Sequence, residues 1–413
     1  MVSDNILEMK QISKEFIGVK ALSNVNFAVE RGEIHCLVGE NGAGKSTLMK
    51  VLSGVYPYGT YKGDIIVNGE ILRFNKISDS VEVGIAIIYQ ELALFPHLSV
   101  YENIFVGNEI QYAGILEWNQ TVSESEKMLK KVGLKVNPDT LIKDLGVGKQ
   151  QLIEIAKALS KEVKLLILDE PTAALNENDS ENLLELLKEL KKQGITSIMI
   201  SHKLKEVIAI ADKATVLRDG ETICTLEASK GEITEAAIIK NMVGREIEDI
   251  YPKRPNQEIG ETILKLSNWT AFDPKLGRNV TKNVNLNVKR GEIVGISGLM
   301  GSGRTELALS MFGNARKYKI TGDLELEGQP AKLQHPHEAI KAGIAYVTED
   351  RKGNGLFLLQ DIKNNISIGN LKEISSKGTV NINEEIVVAD QYKDSLGIKN
   401  AQYSTISRKS EWW

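Results

Sequence analysis

The chain has 413 residues, 42% hydrophobic and 26% charged, a balance that excludes a disordered chain, a fibre or a small disulfide-stapled scaffold and suggests two or three domains. Its formal net charge of −4 gives no overall attraction for a nucleic-acid backbone, so any polyanion site has to be local and nucleic acid is not an expected partner. The two cysteines, Cys36 and Cys224, lack metal-ligand or redox spacing and read as core residues in a reducing compartment. Asp4, Glu8 and Lys10 interrupt the start of the chain where a secretion signal needs an apolar run, and no apolar stretch approaches the roughly 18 to 20 residues that span a bilayer.

In chain order, EIHCLVG (33–39) predicts a strand that runs into GENGAGKS (39–46), and STLMKVLSG (46–54) predicts the helix that follows. Strand, glycine-rich loop and helix in that order make a phosphate-binding loop. Gly39, Gly42 and Gly44 let backbone N–H groups wrap a polyphosphate, and Glu40, Asn41, Ala43 and Thr47 belong to the same segment. Lys45 reaches the terminal phosphates and Ser46 ligates magnesium, at a helix N-terminus that adds positive potential. Further on, Gln90 closes the strand-like GIAIIYQE (84–91), where an amide suits the orientation of water or magnesium, or simply a turn. QQLIEIAKAL (150–159) predicts a helix, LLILDEP (165–171) a buried strand, ENLLELLKELKKQG (181–194) an amphipathic helix ended by Gly194, and SIMIS (197–201) another strand. Asp169 and Glu170 end their strand as an acidic pair, and beside a phosphate loop they read as a magnesium ligand and a base for water. His202 ends the next strand and points toward the same crevice. Short apolar strands alternating with helices predict an α/β domain with a largely parallel sheet.

The segment at 29–48, VERGEIHCLVGENGAGKSTL, recurs at 288–307 as VKRGEIVGISGLMGSGRTEL, an offset of 259, and the same offset pairs Gly84 with Gly343. The chain therefore reads as tandem copies of one domain: 1–241, a proline- and charge-bearing linker at 242–261, and 262–413. In the second loop Arg304 and Thr305 stand where the first has Lys45 and Ser46. His335 and His337 flank Pro336 without further ligands and read as surface residues, so no metal is expected beyond nucleotide-bound magnesium.

In order and spacing, the phosphate loop, Gln90, DLGVGKQQLIEIAKAL (144–159), LLILDEP and His202 resemble the ATPase subunits of ABC transporters over nearly the whole chain. The resemblance implies tandem P-loop ATPase domains that bind ATP and Mg2+. It implies that Phe16 stacks on adenine and that Leu145, Gly146, Val147, Gly148, Lys149 and Gln150 form the signature segment. Ser46, Gln90 and Asp169 would surround magnesium, with Glu170 the catalytic base and His202 the switch histidine. Two domains in one chain with Arg304 in the second are similar to the sugar-import branch, and GVYPYGTYKGDIIVNGE (54–70) and ELALFPHLSVYENIFVGNEI (91–110) narrow that likeness to importers of D-xylose. The expected partners are a transmembrane permease and, through it, a periplasmic or extracellular sugar-binding protein, at the cytoplasmic face of the plasma membrane.

The pattern is broken at three places. Gly146 replaces the usual signature serine, Arg304 replaces the phosphate-loop lysine, and Glu349 stands where the offset expects a second glutamine. The second domain is expected to be incomplete, with its signature due just after Ser407 or Arg408. Tryptophan has a single codon, so the bases under Glu411, Trp412 and Trp413, read one base later, encode Asn or Ser, then Gly, then Gly, and this predicts a frameshift at that signature. The rival expectations are a product that binds ATP without useful turnover and a soluble tandem ATPase acting on ribosomes or DNA, the latter opposed by a pI of about 5.9 and by Arg304.

Overall fold

The computed structural model of the chain describes residues 4–16, 19–90, 92–173, 175–244, 259–299, 301–314, 316–348 and 350–398. Glu349, most of the 242–261 linker and the terminal segment with the expected second signature lie outside the described residues. The chain folds as two units, the first built on Met1–Glu248 with residues from Val387 on and the second on Asp249–Ile386.

The first unit opens with β1 (Asn5–Phe16), β2 (Val19–Glu30) and β3 (Ile34–Val38), followed by α1 (Lys45–Leu52), β4 (Lys62–Val67), β5 (Glu70–Leu72), α2 (Ile77–Glu82) and β6 (Ile85–Ile88). A helical segment comes next, with α3 (Val100–Phe105), the short hairpin β7 (Gln111–Tyr112) and β8 (Ile115–Leu116), α4 (Trp118–Lys131) and α5 (Val147–Leu159). It returns through β9 (Leu165–Asp169), α6 (Glu177–Lys192), β10 (Thr196–Ile200), α7 (Leu204–Ile210), β11 (Lys213–Arg218), β12 (Glu221–Glu227) and α8 (Glu235–Val243). An antiparallel sheet of order β2-β1-β4-β5 lies beside a six-stranded sheet of order β12-β11-β3-β10-β9-β6, parallel except for its edge strand β12.

A parallel strand buried on both faces sends alternate side chains to opposite sides. Leu165 and Ile167 of β9 join one core with Leu37, Ile198, Ile200, the α1 residues Leu48 and Leu52, and Leu7, Met9 and Ile12 of β1. Leu166 and Leu168 join the other, formed with Cys36, Val38, Met199 and apolar residues of α3 to α8 such as Ile104, Ile153, Leu187 and Val207. The strands expected at 33–39, 165–170 and 197–201 are therefore β3, β9 and β10, and the helices expected at 46–54, 150–159 and 181–194 are α1, α5 and α6. One expectation fails. Cys36 is fully buried, but Cys224 is only half-buried, on β12 at the edge of its sheet. Among the described residues no helix is long and apolar enough to cross a membrane.

The second unit contains β13 (Thr262–Asp273), β14 (Arg278–Lys289), α9 (Arg304–Met311), β15 (Lys319–Leu326), β16 (Gln329–Pro330), α10 (Pro336–Lys341), α11 (Ile362–Ser367), and the hairpin β17 (Ser375–Ser376) and β18 (Thr379–Val380), after which α12 (Ile382–Leu396) is the last element among the described residues. Its sheet order, β14-β13-β15-β16, repeats that of the first unit's antiparallel sheet. The repeat extends to single contacts at the offset of 259. Arg31 donates to Asn68 at 2.7 Å and Arg290 to Glu327 at 2.7 Å. Gly44 at φ 98° and Gly303 at φ 92° each begin the loop helix so close to a β-strand carbonyl, Ala21 O and Val280 O, that a Cβ would lie 2.8 and 2.2 Å from it. His335 does sit at the surface, capping α10 by accepting from His337 N–H at 3.2 Å.

The copies differ in the parallel sheet. In the first unit β3 is held by β10 and β11, and β6 by β9. The described residues of the second unit contain no counterpart of those ladder partners, and the strand-like stretches around 293 and 344 form no strand. Ile293, Ile296 and Val347 are accordingly 72%, 49% and 94% exposed.

Removing a fully buried leucine side chain costs about 2–5 kcal/mol. Leu165→Ala and Leu166→Ala, which face different cores, should each lower the urea midpoint by that equivalent with an unchanged slope, as read by far-UV circular dichroism.

Candidate nucleotide site

The register of the parallel ladder assembles the site. Ile200 pairs with Leu37 on one side and with Asp169 on the other, so β3, β9 and β10 end side by side. The glycine loop leaves β3, Glu170 leaves β9 and His202 leaves β10 within one crevice, where open parallel sheets collect ligands. Gly39 is required by space, since a Cβ there would lie 2.4 Å from Leu217 O of β11.

Lys45 is buried and folded into its own loop, its Nζ donating to Gly39 O at 2.8 Å and Glu40 O at 2.9 Å. Burial lowers its pKa, with Glu170, Asp169 and Glu40 pulling the other way. The Ser46 hydroxyl donates to the Asp169 carboxylate, whose pKa is raised by burial and by the neighbouring Glu170 charge and only partly restored by Ser46, Lys45 and Lys50. Two acids in a low-dielectric crevice thus outweigh the cations beside them.

Glu170 is held at both oxygens. Gln90 Nε2 donates to its Oε2 at 3.1 Å, and His202 Nδ1 lies 3.2 Å from its Oε1. Its backbone adopts φ 48°, in the left-handed region that a non-glycine residue avoids at a cost of about 1–3 kcal/mol. The conformation is anchored by Glu170 N–H donating to Ile200 O at 3.0 Å and by Ala173 N–H donating to Glu170 O at 3.1 Å. The three residues expected to act together, Gln90, Glu170 and His202, are therefore in contact.

Phe16 ends β1 and meets Tyr56 edge-on at a centroid distance of 5.3 Å, while Lys14 Nζ lies 5.1 and 4.9 Å from the two rings. The support of Phe16 by Lys14 and Tyr56 is new to the structure, and its signal in the sequence is a cationic residue two positions earlier on the same strand. The signature residues open α5. Leu145 precedes it, Gly146 is its N-cap without a side-chain bond, and Gln150 Nε2 donates back to Ile142 O and Leu145 O at 3.1 and 2.9 Å. Val147 stands exposed on the first turn, followed by Gly148 and Lys149. In the second unit Arg304 begins α9 exposed to solvent, unlike Lys45, and Thr305 follows it. Arg304 lines a pocket of about 400 Å³ together with Asn279, Lys282 and Ser302.

The first-unit donor set fits a magnesium-bound triphosphate. A glycine loop before an eight-residue helix supplies N–H groups, a buried ammonium rests on carbonyls that anionic oxygens can replace, and a hydroxyl with a desolvated carboxylate suits a hard cation.

Comparison with known proteins agrees. The profile of the ABC transporter family matches residues 22–173 and 281–411. The L-arabinose transport ATP-binding protein of Geobacillus stearothermophilus is 57% identical over 399 residues, covering 96% of this chain and 78% of its own. The xylose import ATP-binding protein of Thermoanaerobacter pseudethanolicus is 53% identical with the same coverage. Among solved structures, an ATP-binding cassette of an ABC transporter matches 57% of this chain and 98% of its own with a TM-score of 0.52 at 25% identity. The Clostridium perfringens cbiO1, part of an ABC transporter complex, matches 59% and 96% with a TM-score of 0.50 at 28% identity.

Because the Asp169 pKa is raised above its ordinary 3.8, the folded state disfavours the ionised form. Its penalty is absent below that value and complete above the folded-state pKa. Asp169→Asn should therefore raise the melting temperature of the nucleotide-free protein at pH 7.5, by about 2–4 °C per kcal/mol relieved. Melts at decreasing pH should show the gain shrinking as Asp169 protonates, while magnesium-dependent ATP binding is lost throughout.

Proposed function

The chain belongs to the ABC transporter family, and on that premise we propose that it is the ATP-hydrolysing subunit of a pentose importer. The observation that carries the catalytic reading is the Glu170 carboxylate held between Gln90 and His202 beside the Lys45 loop. Lys45, the α1 N-terminus, Ser46 and Asp169 would hold the triphosphate and its magnesium, which supply the transferable phosphoryl group and its charge neutralisation. Glu170 orients the attacking water and takes its proton at a carboxylate oxygen. Both of those oxygens have partners in this state, so Glu170 becomes a base only when Gln90 or His202 yields one of them. Gln90 leads toward the helical segment of α3 to α5, which places the yielding contact where motion of that segment is felt.

Relatives named for L-arabinose and for xylose, at 57% and 53% identity, support a five-carbon sugar as the cargo. Xylose, the narrower likeness drawn from 54–70 and 91–110, and arabinose both fall in that class. The subunit works at the cytoplasmic face of the plasma membrane on a transmembrane permease, which a sugar-binding protein loads from the far side. A second reading, ATP binding without useful turnover, is favoured by Gly146 in the signature and by the solvent-exposed Arg304 in the second loop. Phosphate release by the purified chain separates the two readings.

General-base assistance contributes about 10² to 10⁴ in rate. Glu170→Gln should bind ATP as the unaltered chain does and release phosphate slower by that factor. Equal turnover would overturn the assignment. In cells, deleting the gene should abolish uptake of labelled xylose or arabinose and leave hexose uptake unchanged.

A further inference from the structure

Beneath the crevice lies a buried polar cluster that the catalytic reading does not use. Glu206, in the first turn of α7, is 8% exposed, and Thr172 and Ser201 are each 2% exposed. The Thr172 hydroxyl donates to Glu206 Oε2 at 2.7 Å and the Ser201 hydroxyl to the same oxygen at 3.2 Å. Lys203 Nζ lies 3.3 Å from Glu206 Oε1 and donates to Thr172 O at 2.8 Å, while Lys203 N–H donates to Ser201 Oγ at 3.0 Å.

We propose that Glu206 is a positioning residue that holds Glu170 and His202 at their working separation. The inference rests on the reading of Glu170 as the base and deepens it. Thr172 follows Glu170 by two residues and Ser201 directly precedes His202. One carboxylate oxygen thus ties the loop leaving β9 to the loop leaving β10, and Lys203 repeats the tie from the other side. A buried carboxylate is stabilised only when its lone pairs and charge are met. Here two hydroxyls and one ammonium meet it, all from the two loops it joins. Helix capping alone does not account for this arrangement, because Oε2 is engaged by Thr172 and Ser201, which lie outside α7. The clamp matters because the left-handed Glu170 backbone would otherwise relax, and displacement of a reacting group by about 1 Å can cost on the order of 10² in rate.

The test uses the full chain with Glu206→Gln and, separately, the double variant Thr172→Val/Ser201→Ala, which leaves Glu206 paired with Lys203. Only five histidines are present, and the His202 imidazole proton resonance is assigned by its absence in His202→Gln. That resonance should shift in both variants as the contact with Glu170 changes. Turnover should fall about ten- to a hundredfold with the KM for ATP unchanged. Adding Thr172→Val to Glu206→Gln should cost no more than Glu206→Gln alone. The proposal is overturned by an unmoved His202 resonance in a folded variant, by a rise in KM with kcat unchanged, or by additive losses. If Glu206→Gln does not fold, the double variant still decides. A chain that binds ATP without hydrolysing it would overturn the role of Glu170 as base, while the resonance would still decide the role of Glu206.

Discussion

The parallel pairing of β3, β10 and β9 is the constraint on which the rest of the molecule depends. With Leu37 beside Ile200 and Ile200 beside Asp169, three unrelated stretches of chain are made to end at one edge. Each strand is buried on both faces, so a slip of one residue would exchange its two sets of side chains between the two cores and is strongly resisted. The register that satisfies the cores is therefore also the register that brings Lys45, Asp169, Glu170 and His202 together. The geometry of the crevice and the packing of the cores are the same selection here, made over residues such as Leu166, Met199 and Val38 that lie in a core.

The site concentrates what the fold would otherwise avoid. Asp169 and Glu170 are adjacent acids in a crevice where burial disfavours charge, and Glu170 is forced into a backbone conformation suited to glycine. The surrounding hydrogen bonds oppose these costs without removing them. Lys45 rests on loop carbonyls, Ser46 on Asp169, and Gln90 and His202 on Glu170. Every one of these partners is a group that a triphosphate and its cation can replace or release. The electrostatic imbalance at Asp169 is thus built into the strands that end at the crevice.

Much of this was legible in the sequence because the relevant signals are local. Four apolar residues ending in an acidic pair, or a glycine loop between a strand and a helix, state both an element and a role within about ten residues. Gln90, Glu170 and His202 could be named together because each closes such a stretch. Glu206 could not. Its partners Thr172 and Ser201 are ordinary hydroxyl residues lying 34 and 5 positions away, and only the neighbouring exits of β9 and β10 bring them to one oxygen. The partial exposure of Cys224 is non-local in the same way, since nothing in its own stretch reveals that β12 is an edge strand. The tandem repeat was legible as an offset, but whether a repeated strand finds a ladder is decided by residues far from it. Ile293 and Val347 carry the same apolar pattern as β3 and β6 and are nonetheless exposed.

The two loop helices show how one local design yields different chemistry. Gly44 and Gly303 make the same close approach to a strand carbonyl, and both helices begin one residue later and run for eight residues. Geometry is therefore not what separates the copies. Lys45 is a compact point charge that fits under its loop with two carbonyls as acceptors, and sinking it there depends on the acids of β9 to offset its lost hydration. Arg304 carries a wider, more weakly hydrated fork whose five donors cannot all be met by two loop carbonyls. The described residues of its unit provide no β9 counterpart to set acids beside it, and it stands in solvent. A buried ammonium is conditional on the acidic strand ends, whereas an exposed guanidinium is not, so the lysine copy is the one whose charge, strain and burial are matched to chemistry.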